Sequence, residues 1–354
     1  MITYVPFLKA KSNEIKAISE LASHVRKSIC PFFDYPRKAG LKEAEFKAAV
    51  EKTVRSLEKH LGTNDEFYFD NYDIDDAVKV GAKHNYQFLL ESLAAFPVIP
   101  VVSVDRSAAH LSAVSALKAA GKLQSDIIAF RITPEDFEEF AIIKDDIESD
   151  LGPVFAQFDA IDLIFDCRVC TTLDPANTAA QIKKFSRKFC TDYNVRRVVV
   201  TGSSIPASVG EILNVDSERM IQRHELEIYQ LSKTIHDHAN LTFGDYTTVS
   251  PLYSDVDLAP EILQNIMTAK LTYTLVDSHF FIRGGALKTK GRGQYFGLAN
   301  KLCAKKFFRG AGYSAGDGYF DQKSRKLGNN CGPNTVIKPA VNAHISYMVL
   351  SGVI

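Results

Sequence analysis

The chain has 354 residues, 46% hydrophobic and 24% charged, which is enough to bury a large core as one elaborated α/β domain or two smaller ones. Lys plus Arg equals Asp plus Glu at 42 each, so whole-chain charge gives no argument for nucleic acid or an anionic membrane. Six cysteines are too few for a disulfide scaffold, no run approaches the ~18 apolar residues of a membrane span, and Met1–Pro6 lacks the basic and apolar segments of a signal peptide. A reducing cytoplasm is the expected setting.

Short apolar runs ending in a polar or charged residue alternate with helical patterns along most of the chain. The first strand is expected over Tyr4–Leu8, closing on Lys9, with a helix from Glu14 to Arg26. Then come Ile29–Asp34 with the helix Lys42–Leu61, Glu66–Asp70 with a helix around Asn85–Ala95, and Val98–Asp105 with the helix Ala108–Ala120. Asp126–Arg131 is followed by a helix within Phe137–Phe158, Leu163–Arg168 by Asn177–Tyr193, and Val195–Thr201 by a longer helical region between Glu211 and His238. Leu241–Asp245 is the eighth strand. The strand ends lie 25, 36, 35, 26, 35, 35 and 44 residues apart. Eight β/α units of this size match a (β/α)8 TIM-like barrel, with an open doubly wound sheet as the alternative.

After Asp245 the pattern changes. Leu258–Ala269 reads as a helix, Leu271–Leu275 and His279–Arg283 as a β-hairpin, and Gly284–Gly293 as a basic, Gly-rich loop. Gln294–Phe308 reads as the barrel's last helix, which makes the hairpin (about 270–293) an insertion on the face where barrel active sites sit. Residues 309–354 read as a Gly-rich C-terminal extension packed on the barrel, ending in a β-like run from His344 to Leu350. No separate second domain is expected.

Alternation along the strands places Asp34, Asp70, Asp105, Asp166 and Asp245 at equivalent ends, with Lys9, Arg131 and Arg168 beside them. In a barrel these converge on one mouth. Crowded carboxylates raise one another's pKa and suit acid/base work, or bind a hard cation such as Mg²⁺ or Mn²⁺, with Asp34, Asp70 and Asp166 as first candidates. No His falls at a strand end, which disfavours a His-ligated zinc or iron site. The cations suit an anionic, phosphate-containing substrate. A self-neutralising layer of salt bridges would read the same way.

Other patterns are weaker. Cys167–Cys170 is a lone CxxC without the further ligands of a zinc site. Thr201-Gly202-Ser203-Ser204 could bind phosphate after the seventh strand, or simply make a tight turn. Arg283, Lys288, Lys290 and Arg292, with Tyr295 and Phe296 nearby, could hold a nucleotide or nucleic acid, or form a solvated loop. Ser314, Asp317 and His344 have the residue types of a triad but no nucleophile elbow. His84, His110, His236 and His238 are expected at surfaces or helix ends.

Several of these segments together resemble the phage and bacterial "beta protein" family. They are Val5-Pro6-Phe7-Leu8-Lys9-Ala10-Lys11, Ile29-Cys30-Pro31-Phe32-Phe33-Asp34-Tyr35-Pro36, Phe281-Ile282-Arg283-Gly284, the Gly312–Tyr319 segment with Ser314-Ala315-Gly316-Asp317, and His344-Ile345. The chain departs from that pattern at Asp34, where a Glu is expected, and at Asn342-Ala343-His344, where an aromatic-rich, His-doubled ending is expected. The resemblance implies a phage or phage-defence context and supplies no reaction or catalytic residues. Two functions stay open. One is a barrel enzyme, such as a hydrolase or phosphodiesterase, using the five aspartates, with Lys9, Arg131, Arg168, Thr201 and Arg283 binding the substrate. The other is a non-catalytic barrel that binds nucleic acid or an acidic partner.

Overall fold

A computed structural model describes residues 2–38, 40–235, 240–253 and 267–354. Its strands are β1 (Tyr4–Lys9), β2 (Phe32–Asp34), β3 (Phe67–Asp70), a small hairpin β4 (Lys79–Val80) and β5 (Lys83–His84), β6 (Val98–Val102), β7 (Ile127–Ile132), β8 (Ala160–Val169), β9 (Val195–Ser203), β10 (Ser217–Gln222), β11 (Leu241–Asp245), β12 (Thr268–Thr274) and β13 (Ser278–Ala286). Eight of them close a barrel in the order β1-β11-β9-β8-β7-β6-β3-β2, and every neighbouring pair is parallel. This is the (β/α)8 architecture. The strands are apolar on both faces because helices cover the outside and side chains fill the inside.

Alternation sorts the two faces. Tyr4, Leu8, Phe33, Phe67, Phe69, Phe130, Leu163, Phe165, Val198 and Phe243 join the outer core beneath the helices. Val5, Phe7, Phe32, Tyr68, Ile99, Val101, Ala129, Ile164, Val199 and Tyr246 fill the interior. Gly244 belongs to that interior layer for a steric reason. A Cβ there would stand 2.9 Å from the Val5 carbonyl oxygen and 3.1 Å from both the Phe7 ring and the Thr201 Cβ.

The helices of the barrel include Ser12–Ser19, Glu43–His60, Asn85–Ser92, Ala108–Ala119, Pro175–Asp192 and His224–Ile235. Pro175 at the first turn and the Asp174 carboxylate, which accepts from the N–H groups of Ala176 and Asn177, start the fifth of these. The expected single helix within Phe137–Phe158 is broken into short segments, including a π-helical turn at Ile147–Leu151.

The elaboration differs from the sequence expectation at several points. The region expected to be helical from Glu211 contains β10, which pairs with β13 and makes the hairpin a three-stranded sheet, β10-β13-β12. Most of the helix expected at Leu258–Ala269 lies outside the described residues, and Thr268 and Ala269 are already strand. The helix Gln294–Cys303 packs on the added sheet rather than on the barrel. The barrel's last helix is instead Ile337–Leu350, where the sequence suggested a β-like run. Val341, Ile345 and Met348 of that helix join the barrel's outer core. The helix also carries Ala340 into the core of the added sheet. Buried on two sides, it shows no amphipathic stripe.

Candidate active site at the barrel mouth

The C-terminal ends of β1, β2, β3, β7, β8 and β9 point Lys9, Asp34, Asp70, Arg131, Asp166 and Thr201 inward, all of them buried. Strand register places Lys9 level with Asp34, Asp34 with Asp70, and Asp166 with Thr201. Arg131, only 1% exposed, sits among the carboxylates. Its Nη1 donates to Asp34 Oδ1 at 2.8 Å and Asp70 Oδ2 at 2.7 Å. Its Nε and Nη2 donate to Asp166 Oδ2 at 3.0 and 2.6 Å, and Nη2 also donates to the Tyr246 hydroxyl at 2.8 Å. Tyr246 donates in turn to Asp166 Oδ2 at 2.6 Å.

Burial works against every charge in this layer, and pairing decides each outcome. At Asp34 the fields of Arg131, Lys9 and Arg168 outweigh burial and hold the carboxyl below its usual range. At Asp70 burial, aided by the charge of Asp34, outweighs Arg106 and Arg131, so its carboxyl is raised. Burial disfavours the Lys9 ammonium, but Asp34, Tyr253 and Asp73 reverse this and raise its pKa. Lys9 Nζ donates to Asp73 Oδ2 at 3.1 Å and the Pro251 carbonyl at 3.3 Å, and lies 3.7 Å from Asp34 Oδ2.

Arg168 stands apart. It lies at a register irregularity between the Asp166–Thr201 and Val169–Ser203 pairs of β8 and β9, with φ of 49°, in the left-handed region that residues other than glycine rarely adopt. Its N–H donates to Asp166 Oδ1 at 2.9 Å, which locks that turn. Its guanidinium stacks 4.4 Å from the Tyr72 ring centre, and Nη1 donates to Tyr246 at 3.2 Å. The nearest carboxylate oxygen, Asp166 Oδ2, is 3.7 Å away, and the side chain is 16% exposed. Among the described residues it therefore keeps hydrogen-bond donors that no carboxylate takes up. The buried Asp34 Oδ2 and Thr201 Oγ1 also have no hydrogen-bond partner among the described residues.

Two of the expected ring members lie elsewhere. Asp105 follows β6 in a loop, its side chain 46% exposed and 3.5 Å from its neighbour Arg106. Arg106 is the residue that reaches the mouth, donating to both oxygens of Asp70 at 3.1 and 3.0 Å. Asp245 shares the outward face of β11 with Phe243 and points away from the mouth, where Tyr246 takes the inward place. It joins a buried network beneath the closing helix, accepting from Tyr4 at 2.5 Å, His344 Nε2 at 2.9 Å and Arg223 at 2.8 Å. His344 Nδ1 also meets the Thr274 hydroxyl at 2.7 Å. Burial opposes the charge of Asp245, but His344, Arg223 and Tyr4 together hold its carboxyl well below the usual range.

The suggested cation site does not fit these side chains. The Arg131 guanidinium fills the space between Asp34, Asp70 and Asp166, and among the described residues no group of three or more His, Cys, Asp or Glu is arranged to hold a metal ion. The Ser203 and Ser204 hydroxyls are spent internally, on the Val249 carbonyl and on Glu225. Arg283 lies in the added sheet, bound to the Leu213 carbonyl and Thr268, and Lys290 pairs with Asp216 at 2.6 Å. Ser314 caps its own helix against Asp317 at 2.5 Å rather than meeting His344. Burial pushes the Cys170 thiol above its usual range, as it does the Cys167 thiol. His84 caps a helix as expected, whereas His110 is buried against Tyr86, and His236 and His238 lie outside the described residues.

Tyr246, Tyr72, Arg106, Asp73 and Tyr253 complete the mouth and were not anticipated. All five lie one to eight residues beyond a strand end, in loops whose direction local alternation does not report.

A closed parallel barrel carrying buried charges of both signs at its C-terminal mouth places the protein among the (β/α)8 barrels, the class in which that end holds the active site. Within that class the chain belongs to the Beta protein family, whose model matches residues 4–350. Among solved structures it is similar to the apo homocysteine methyltransferase MmuM from Escherichia coli, at 16% identity and a TM-score of 0.37, covering 70% of this chain and 92% of that one. No curated protein matches the chain. Among the described residues no helix is long and apolar enough to cross a membrane.

Proposed function

We propose that the barrel mouth binds a phosphate-containing anion and hydrolyses a phosphate ester there. The observation that carries this reading is Arg168, whose guanidinium is held at the mouth by a strained backbone and a tyrosine face and, among the described residues, donates no hydrogen bond to a carboxylate. Strain of about 1–2 kcal/mol at a left-handed non-glycine residue is retained where position matters. Arg168 and Lys9 would hold the anion. Asp34 is the candidate base, because among the described residues its Oδ2 has no hydrogen-bond partner and the arriving anion raises its depressed pKa toward a useful value. Asp34 Oδ2 is buried in the free protein, so a water admitted with the substrate gives it a proton. The water oxygen bonds to phosphorus, the ester P–O bond breaks, the leaving oxygen is protonated from solvent, and Asp34 then returns its proton to solvent. Arg131 polarises and positions Asp34 without touching the anion.

The test compares wild type with Arg168→Gly by thermal shift in inorganic phosphate and by turnover of bis(p-nitrophenyl) phosphate. Phosphate should raise the wild-type melting temperature, and the glycine variant, relieved of strain, should fold at least as stably but show no shift. Asp34→Asn should keep phosphate binding and lose turnover. Equal shifts in wild type and Arg168→Gly would sink the reading.

A second reading, binding without catalysis, is favoured by the closure of Arg131 within three carboxylates. Phosphate binding with no turnover by wild type would establish it. A nucleic-acid contact at the basic turn has less support, since Arg283 and Lys290 are already paired. A role in phage–host conflict rests on the family resemblance alone.

A further inference from the structure

Beside the mouth lies a cavity of about 630 Å³ that the phosphate reading leaves unused. Its walls come from the loops after β2 and β3, on the end of the barrel where substrates sit, and include Arg37, Leu41, Glu43, Asp73, Ile74 and Val78. Two side chains join it to the mouth. Asp73 lines the cavity and accepts from Lys9 Nζ at 3.1 Å. Tyr253 accepts from the Arg37 N–H at 3.1 Å, while its ring lies 4.5 Å from the same Lys9 Nζ. An anion held by Lys9 and Arg168 would therefore sit one side chain away from the opening.

The volume and the lining constrain what enters. Small-ligand sites span roughly 300–1,000 Å³, far more than an inorganic phosphate needs. Leu41, Ile74 and Val78 offer an apolar face for a planar ring. Glu43 Oε1 accepts from the Gly81 N–H and Asp73 Oδ2 from Lys9, which leaves Glu43 Oε2 and Asp73 Oδ1 without partners among the described residues. Carboxylate oxygens placed this way accept from the hydroxyls of a sugar or the amino group of a base. The lining thus combines an apolar face with carboxylate acceptors, beside the cations Arg37, Lys38 and Lys79, next to an anion site.

We infer that the substrate is a nucleoside phosphate, with its phosphate between Lys9 and Arg168 and its nucleoside in the cavity walled by Leu41, Glu43, Asp73, Ile74 and Val78. This rests on the phosphate reading of the mouth. Without that reading the cavity has no anchor.

The experiment is calorimetric titration of the whole chain with AMP, ribose 5-phosphate and inorganic phosphate. AMP should bind at least tenfold more tightly than inorganic phosphate, with ribose 5-phosphate between them. Val78→Trp, which fills the cavity, should reduce AMP affinity to that of phosphate and leave phosphate affinity unchanged. Ala77→Trp, at an exposed position of the same wall, repeats the test if the first variant folds poorly. AMP and phosphate binding equally to wild type, or AMP binding unchanged in both Trp variants, overturns the nucleoside assignment alone. No binding of any of the three by wild type overturns the phosphate reading and this proposal with it.

Discussion

Replacing Arg131 by Met removes the one guanidinium that Asp34, Asp70 and Asp166 share, along with its hydrogen bond to Tyr246. The three carboxyls are at most 1% exposed, so water cannot take over. Removing one partner of a buried ion pair costs about 3–5 kcal/mol, because the remaining charge stays desolvated. For 354 residues the unfolding entropy near the midpoint is about 0.7 kcal/mol per degree, so the melting temperature should fall by about 4–7 °C. The pH dependence makes the test specific. In wild type Asp34 titrates below its unfolded value, so its contribution is present above pH ~4 and is lost as the pH falls further. Without Arg131, burial and its like-charged neighbours raise the folded pKa, so the variant loses stability as the pH rises. The gap between the two proteins should therefore narrow as the pH is lowered from 7 toward 4.5. Urea unfolding at several pH values measures it. A gap under about 1 kcal/mol at pH 7, or one constant with pH, would refute the view that Arg131 holds the carboxylate layer together.

Two further perturbations probe the barrel around the site. Burial raises the Glu14 carboxyl to about 7, against a hydrogen bond from the Lys9 N–H at 2.5 Å. The folded value exceeds the unfolded one, so that stability is fully present below pH ~4.5 and is lost as the pH rises through 7. Glu14→Gln keeps the acceptor, and should gain on wild type by up to ~3 kcal/mol between pH 5 and pH 8 in urea unfolding. Parallel profiles would contradict this. Gly244→Ala drives a Cβ into the Val5 carbonyl and the Phe7 ring, so it should lower stability by about 1–3 kcal/mol. An unchanged urea midpoint would show that the interior layer yields more easily than its contacts imply.

The eight β/α units were legible because each strand is a short local signal. Alternating side chains within a strand then separated Asp34, Asp70, Arg131 and Asp166, which face inward, from Phe33, Phe69, Phe130 and Phe165, which face the helices. Local alternation carries only as far as the strand does. Asp105 lies beyond the end of β6, and the loop there turns Arg106 to the mouth instead. Asp245 ends a strand, yet it shares the face of Leu241 and Phe243, and Pro6 rather than Lys9 stands level with it. The stagger between strands belongs to the closed barrel, since one strand's sequence carries no record of where its neighbours begin. The closing helix was hidden for a related reason. Ile337–Leu350 is buried by the barrel on one side and the added sheet on the other, so the polar stripe that marks a surface helix is missing. Sequence also supplied equal numbers of charges without saying which would pair. Tertiary structure decided that Arg131 is enclosed by carboxylates and that Arg168 keeps donors to spare, because pairing depends on distances across the barrel that only closure sets.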